Sequence, residues 1–311
     1  MSSGGRISAV MVSYRTGPVL FDSIRSVLSD PDIHQLVLVN HDNPTNVTVR
    51  LDTMAAAEPR LTVIHTGANL GFGRGCNIGA RSATGDYILL LNPDTLIARG
   101  AARIMVTTAQ GLPPVSIVGA RILNTDGSEQ RGGRRGGLTL MSAMLSFTGL
   151  ARILPGVRDF HREHEALPSG PVETPSVSGA AMLMSRDTFR ALDGFDERYF
   201  LHVEDIDICE RARRMGGKVV FEPRAAFVHV GSTSSANILL VEWYKAKGLN
   251  LFFRTYSGPA GQLVLVIAGP LMTMALLGRA VLIRASARTL QARTRLRARV
   301  RLAQRRRNSG N

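Results

Sequence analysis

Asn92 and Asp94 bracket a proline at the end of an apolar run, Tyr87 to Leu91, within the stretch Gly85–Thr95. Large apolar residues in succession, with a turn at each end, read as a strand buried on both faces, as in a parallel sheet. Pro93 has no amide hydrogen for a neighbouring strand, so the strand stops there. Its end presents two oxygen-bearing side chains at the carboxyl edge, where open α/β sheets bind ligands. Such a pair suits a hard cation, Mg²⁺ or Mn²⁺, carrying a phosphate ester. The same residues also read as a plain Asn-Pro-Asp turn after a core strand, and the rest of the chain has to separate the two.

A second set of carboxylates lies in Glu204-Asp205-Ile206-Asp207. Glu204 to Met215 reads as a helix stopped by Gly216-Gly217. Ile208, Cys209, Ala212 and Met215 share one face. Asp207, Glu210, Arg211 and Arg214 lie opposite, with Asp207 and Arg211 spaced as an i,i+4 pair. Asp205 falls on the apolar side. A carboxylate at a helix start is stabilised by the helix dipole, and partial burial raises its basicity, which suits a general base. A cap satisfying backbone amides is the plainer reading. His229 ends the strand-like run Ala225 to Val228. Alone it reads as structural; beside a cation at Asp94 it becomes a further ligand.

Elements must bring these residues together. Strand-like runs at Ile7–Ser13, Gln35–Val39 and Leu61–His65 alternate with helical patterns at Val19–Leu28 and from about Thr45 to Ala57. That alternation predicts βαβ units and a mostly parallel sheet, with Ser13, Asn40 and Asp94 converging on one edge. Asn69 to Gly79 is glycine-rich and leads into a helix carrying Ala80 and Ala83. It fails the Gly-x-Gly-x-x-Gly fingerprint, since Cys76 or Ile78 stands where the third glycine belongs. Close backbone approach to a nucleotide, with Asn77 bonding a base or ribose, is one reading, and a glycine-rich helix cap is the other. Gly119–Leu123 and Val177–Ser185 read as further strands, and Arg186–Leu192 as a helix. Residues 128–173 form a long irregular insertion, expected to be a flap facing the acceptor. Arg131, Arg134 and Arg135 in it suit a diphosphate, or a solvated surface.

The formal charge of +14 belongs to one end. Arg284 to Asn311 holds ten arginines and no acidic residue; without it, 28 basic residues face 24 acidic ones. With 44% hydrophobic residues the chain is globular. Cys76 and Cys209 lack metal-type spacing, which points to a reducing compartment. The early apolar run Ala9–Val12 is too short for a signal peptide's core.

Asn69-Leu-Gly-Phe-Gly, Leu91-Asn-Pro-Asp-Thr95, Val177-Ser-Gly-Ala180, and Gly194-Phe-Asp-Glu-Arg-Tyr-Phe followed by Glu204-Asp-Ile-Asp207 resemble the motifs of inverting family 2 glycosyltransferases. Within that family the likeness is to rhamnosyltransferases acting on polyprenyl-diphosphate-linked cell-wall and O-antigen acceptors. It covers roughly Ile7 to Thr233. The resemblance implies a GT-A type α/β fold, a nucleotide-sugar donor (dTDP- or UDP-linked) and a divalent cation. By position it implies Ser13, Tyr14 and Asn40 at the base and ribose with Asn77 nearby, Asn92 and Asp94 as the Asp-x-Asp-type site, Asp205 as base and His229 at the metal. Glu204 falls beside the acceptor. Arg15 stands where asparagine is frequent and Asn40 where aspartate is usual, so Asp42 is a second candidate for that carboxylate. Asn92 is a neutral first member of its pair, which leaves Asp94 as the firmer metal ligand. A nucleotide-binding module without turnover is the alternative that these departures leave open.

The expected division is a catalytic domain over residues 1–255, an apolar membrane-associating helical segment over 256–283, and the arginine tail over 284–311. Leu263 to Ile283 is interrupted by Pro270, Gly278 and Arg279, and its charge-free part ends at Leu277, short of the roughly 20 residues of a span. Positive-inside orientation of a span would also place the catalytic domain away from cytoplasmic nucleotide sugars. The expectation is therefore a peripheral or monotopic protein on the cytoplasmic face, its arginines on anionic headgroups. Nucleic acid is the rival partner, disfavoured because no aromatic residue for base stacking lies among these arginines.

Overall fold

The computed structural model describes residues 5–148, 159–231 and 237–308. Its centre is a nine-stranded sheet. In chain order the strands are β1 (Ile7–Ser13), β2 (Ile33–Asn40), β3 (Leu61–His65), β4 (Tyr87–Leu91), β5 (Thr95–Ile97) and β6 (Ile117–Leu123). β7 (Arg134–Arg135) and β9 (Ser176–Val177) form a separate small sheet, while β8 (Val172–Glu173), β10 (Ala181–Ser185) and β11 (Val219–His229) join the main one. The order across it is β3-β2-β1-β4-β10-β6-β11-β5, with β8 beside β11. β1, β2, β3, β4, β6 and β11 all run one way, as the pairings require. β10 runs against its neighbours on both sides, and β5 and β8 run against β11. The sheet is mostly parallel, as expected.

All seven residues of β1 are buried, and the two-residue period sends them to two cores. Ile7, Ala9 and Met11 join α1 (Val19–Ser29), α2 (Thr45–Ala57) and α4 (Ala101–Gln110) on one face. Val10 and Val12 join α3 (Phe72–Arg81), α6 (Arg186–Ala191) and α7 (Glu204–Arg214) on the other. Such double burial is why these strands read as unbroken apolar runs.

Four expectations need correction. The glycine-rich stretch is itself helix: α3 begins at Phe72 and has ended before Ala83. A Cβ on Gly75 would sit 2.7 Å from Val12 and one on Gly79 2.5 Å from Val10, so these glycines let the helix lie on the sheet. The run from Val177 to Ser185 is two strands, because Val177 pairs with Arg134 before β10 begins at Ala181. Asp207, assigned to the solvent face of α7, is buried, whereas Met215 is 52% exposed. The insertion is not irregular throughout: it contains β7, β8 and α5 (Leu140–Thr148). Its residues 149–158 lie outside the described residues.

After β11 come α8 (Ile238–Tyr256) and the long α9 (Pro259–Asn308). Pro270 does not interrupt α9. Its segment Pro259–Arg284, 26 residues that include an 18-residue stretch of mean hydropathy 1.9, is long and apolar enough to cross a membrane by length and composition. Arg279 does not curtail this apolar surface as expected, since it is half-buried and paired with Glu242 of α8 at 2.7 Å. A third core joins both helices to α7 and the turn before it through Tyr199, Val203, Ile206, Leu249, Phe252 and Leu276.

Candidate active site

The carboxyl ends of the parallel strands share one edge, and a cleft of about 700 Å³ opens there. Asn92 follows β4 and donates its amide to Ala180 O at 3.1 Å. The chain then turns at Pro93, and Thr95 of β5 pairs with His229 of β11. That pairing brings Asp94 to His229, with Oδ1 to Nε2 at 3.0 Å and Asn92 Nδ2 at 3.2 Å from the same nitrogen. The other ring nitrogen, Nδ1, meets Gln130 Oε1 at 2.6 Å, while Gln130 Nε2 donates to His229 O and Asn124 Oδ1. With Nδ1 donating to Gln130, a neutral ring presents its Nε2 lone pair to the Asp94 carboxylate. Two acceptors that close need a proton or a cation between them. The donor set therefore fits a divalent cation. Among the described residues no three His, Cys, Asp or Glu side chains group as a closed metal cage. An open set suits a cation that shares its coordination with substrate phosphates.

Asp205 lies in the first turn of α7 and lines the same cleft. The turn before it is sharp: His202 and Val203 have φ of +67° and +75°, left-handed values that cost about 1–3 kcal/mol each for such residues. Packing holds them, since Val203 is buried in the third core and Gly248 leaves room for the His202 carbonyl. Asp205 Oδ1 accepts from the Ile206 amide at 2.9 Å, so it does part of a cap's work. Oδ2 accepts from the Gly179 amide at 3.1 Å and from Arg135 Nη1 at 2.9 Å. Arg135 thus compensates the buried carboxylate and fastens the insertion to the cleft. Glu204 beside it is buried, and its Oε2 has no hydrogen-bond partner among the described residues. Burial, then the charge of Asp205, hold the Glu204 carboxyl well above its ordinary value.

The three insertion arginines separate. Arg131 lines the cleft, paired with Asp159 at 3.2 Å and Glu163 at 3.9 Å. Arg135 is on Asp205. Arg134 does not reach the cleft: it is buried, paired with Glu129 at 2.7 Å and bonded to the carbonyls of Glu165 and Ala166. It is a structural arginine, which corrects its assignment to the acceptor.

Of the residues expected at the nucleotide, Tyr14 lines the cleft together with Arg15 and Thr16. Ser13 and Asn40 stand behind them. Asn43 Nδ2 donates to Ser13 Oγ at 2.9 Å and to Asn40 Oδ1 at 2.7 Å, and Asn40 also meets His65 and Thr48. Asp42 is half exposed and pairs with Arg15 at 3.5 Å. Asn77 is not near this group. Its amide nitrogen donates to Phe195 O and Glu197 Oε1, and its oxygen accepts from the Phe195 amide, so it pins the turn after α6. It lines a separate trough of about 930 Å³ on that side of the molecule. Sequence reasoning missed Asn43, Gln130 and His41. His41 follows β2 into the cleft, its Nε2 without a hydrogen-bond partner among the described residues and its pKa lowered by burial. Its position just past an apolar strand was the available signal; Gln130, inside the insertion, had none.

Residues 8–192, more than half of the chain, match the model of glycosyl transferase family 2. The chain is a family 2 glycosyltransferase. Over 238 residues it is 27% identical to an N-acetylglucosaminyl-diphospho-decaprenol L-rhamnosyltransferase of Mycobacterium tuberculosis, covering 72% of this chain and 75% of that one. It is 24% identical over 241 residues to an O-antigen biosynthesis protein of Myxococcus xanthus, 73% of this chain but 17% of the relative. Among solved structures it resembles GalNAc-T7 with UDP, GalNAc and Mn²⁺ at a TM-score of 0.60 and 17% identity, over 80% of this chain and 48% of that one. A mannosyltransferase of Pyrobaculum calidifontis with GDP-Man and Mn²⁺ aligns at 0.56 and 15% identity, over 95% and 81% of the two chains. These likenesses establish the GT-A fold. The motifs that carried the family resemblance up to Leu192 fall inside the matched segment; Asp205 and His229 lie beyond it.

Proposed function

We propose that this glycosyltransferase moves a hexosyl group, L-rhamnose from dTDP-rhamnose in first place, from a nucleotide sugar to a polyprenyl-diphosphate-linked saccharide in cell-wall or surface polysaccharide synthesis. The observation that carries the reading is the convergence of Asp94, Asn92 and His229 with Asp205 in one cleft. The rhamnosyl and polyprenyl details rest on the mycobacterial relative, and a UDP-sugar remains the rival donor.

Asp94 and His229, with Asn92 beside them, would hold Mg²⁺ or Mn²⁺, which supplies positive charge against the departing nucleoside diphosphate. Tyr14 and the loop braced by Ser13, Asn40 and Asn43 border the place for the nucleoside. Asp205, fixed by Gly179 and Arg135, takes the proton of the acceptor hydroxyl as its oxygen bonds to the anomeric carbon. The bond from that carbon to the diphosphate oxygen breaks on the opposite side, and the configuration inverts. Arg131 and Glu204 face the acceptor side of the cleft. For location, the apolar α9 segment and the arginine tail support a peripheral or monotopic protein on the cytoplasmic face of an anionic membrane.

The test is release of nucleoside diphosphate from dTDP-, UDP- and GDP-sugars, with and without Mn²⁺ and a polyprenyl-linked acceptor. Turnover should require the cation, and Asp205→Asn should lower it by about 10²–10⁴-fold while donor affinity stays within a few-fold. Normal turnover by the variant would remove Asp205 as base. Nucleotide binding without turnover of any donor would leave the non-catalytic module instead.

A further inference from the structure

Helix α9 packs on its neighbours along one side only. Leu265, Ala268, Met272, Leu276 and Ala280 recur at helical spacing and are buried. Leu263, Val264, Ile267, Leu271, Met274 and Val281 are between 48% and 73% exposed. At 100° per residue the second set falls in one arc opposite the first, and over these residues the arc is about 30 Å long at 1.5 Å per residue. No charged side chain enters it, because Arg279 turns to Glu242. A soluble surface rarely carries an apolar stripe of this extent without an apolar partner.

Two features decide what covers it. The same helix continues into a segment with ten arginines and no acidic residue. A parallel second copy would set those like charges together, whereas an anionic lipid surface matches the stripe and the arginines at once. The stripe also leads towards the active site. The Glu242–Arg279 pair fastens the first turns of α8 to α9 near the end of the stripe. In those turns Leu240 is 50% and Trp243 44% exposed. Leu240, Val241 and Tyr244 line the cleft, with Tyr244 stacked on Phe200 at 4.3 Å between ring centroids. The wall of the cleft on this side is therefore apolar and continuous with exposed apolar surface.

We propose that a lipid surface covers the outward face of α9 and continues over Trp243 and Leu240 to the mouth of the cleft. A lipid-linked acceptor then enters sideways from that surface, a clause that rests on the glycosyl-transfer reading, whereas the lipid contact itself does not. Trp243 sits where an amphipathic ring marks a membrane interface.

Trp243 is the sole tryptophan of the chain, so its fluorescence reports this one place. The full-length protein is titrated with vesicles of equal parts phosphatidylcholine and phosphatidylglycerol, with and without bromine-labelled acyl chains. The expected result is a blue shift of the emission, and loss of intensity with the brominated lipid. The double variant Ile267→Glu, Leu271→Glu should lose both effects, with donor hydrolysis in the absence of vesicles unchanged. Vesicle binding that leaves the Trp243 emission unaltered would overturn the proposal, since the tail alone would be the contact. Self-association with no vesicle binding would overturn it in favour of a second copy. A shift and quenching without turnover of any nucleotide sugar would uphold the lipid surface and overturn only the glycosyl-transfer reading.

Discussion

His229 has two ring nitrogens, and Gln130 takes one of them at 2.6 Å. That contact fixes both the tautomer and the direction of the ring, so that Nε2 meets Asp94. Gln130→Leu should weaken Mn²⁺ binding by about 10-fold or more, whereas Gln130→Glu, which keeps an acceptor for Nδ1, should not. Titration of free Mn²⁺ by electron paramagnetic resonance, without substrate, reads this directly. Unchanged Mn²⁺ affinity in Gln130→Leu would show that something else orients the ring. At this scale the sequence pointed to side chains that line the cleft where a residue type is rare in its setting: a carboxylate on the apolar side of a helix, a histidine at a strand end. It was silent on Gln130, an ordinary polar residue in an insertion. It misled on Asn77 and Arg134, because polar side chains that brace a turn have the same composition as those that bind a ligand.

The elements owe their positions to close packing of helix on sheet. Gly79 of α3 is the tightest example, and its Cβ would meet Val10 of β1 at 2.5 Å. Gly79→Ala should therefore destabilise the protein by about 1–3 kcal/mol, since neither the strand nor the helix can shift alone. Gly137→Ala, where a Cβ meets nothing within 4 Å, is the control and should change little. Urea denaturation compares them. α7 is held at both ends of its buried face. Asp207 accepts from Tyr256 Oη at 2.7 Å and pairs with Arg211 at 2.8 Å, and Arg211 in turn bonds the carbonyls of Leu192 and Gly194. The helix bearing Asp205 is thus tied both to α8 and to the turn that Asn77 pins.

For the whole molecule, the exposed apolar stripe and the excess charge lie next to each other at the C-terminal end, where the tail carries ten of the fourteen net positive charges. Each basic residue near an anionic surface is worth about 1 kcal/mol, so removing residues 285–311 should sharply reduce flotation with phosphatidylglycerol vesicles. Binding of the intact chain should fall as salt rises, because the Debye length shortens. Donor turnover on a water-soluble acceptor should survive the truncation, since the described cleft residues all precede Met272. Flotation unchanged by truncation and by salt would show that the tail is not what meets the lipid.

Periodicity and chain punctuation determined most of the architecture. Double-sided burial writes itself as unbroken apolar runs, and the alternation of such runs with helical patterns predicts parallel strands whose ends share an edge. That was enough to send Asp94 to the cleft. Contacts distant in sequence were decided only in three dimensions: Thr95 against His229, which brings Asp94 and His229 together; Arg135 on Asp205; and Arg279 on Glu242, which clears the outer face of α9. Each joins residues 37 or more positions apart whose identities would suit many partners. No local pattern selects among those partners, and the packing of the sheet, the insertion and the last two helices does.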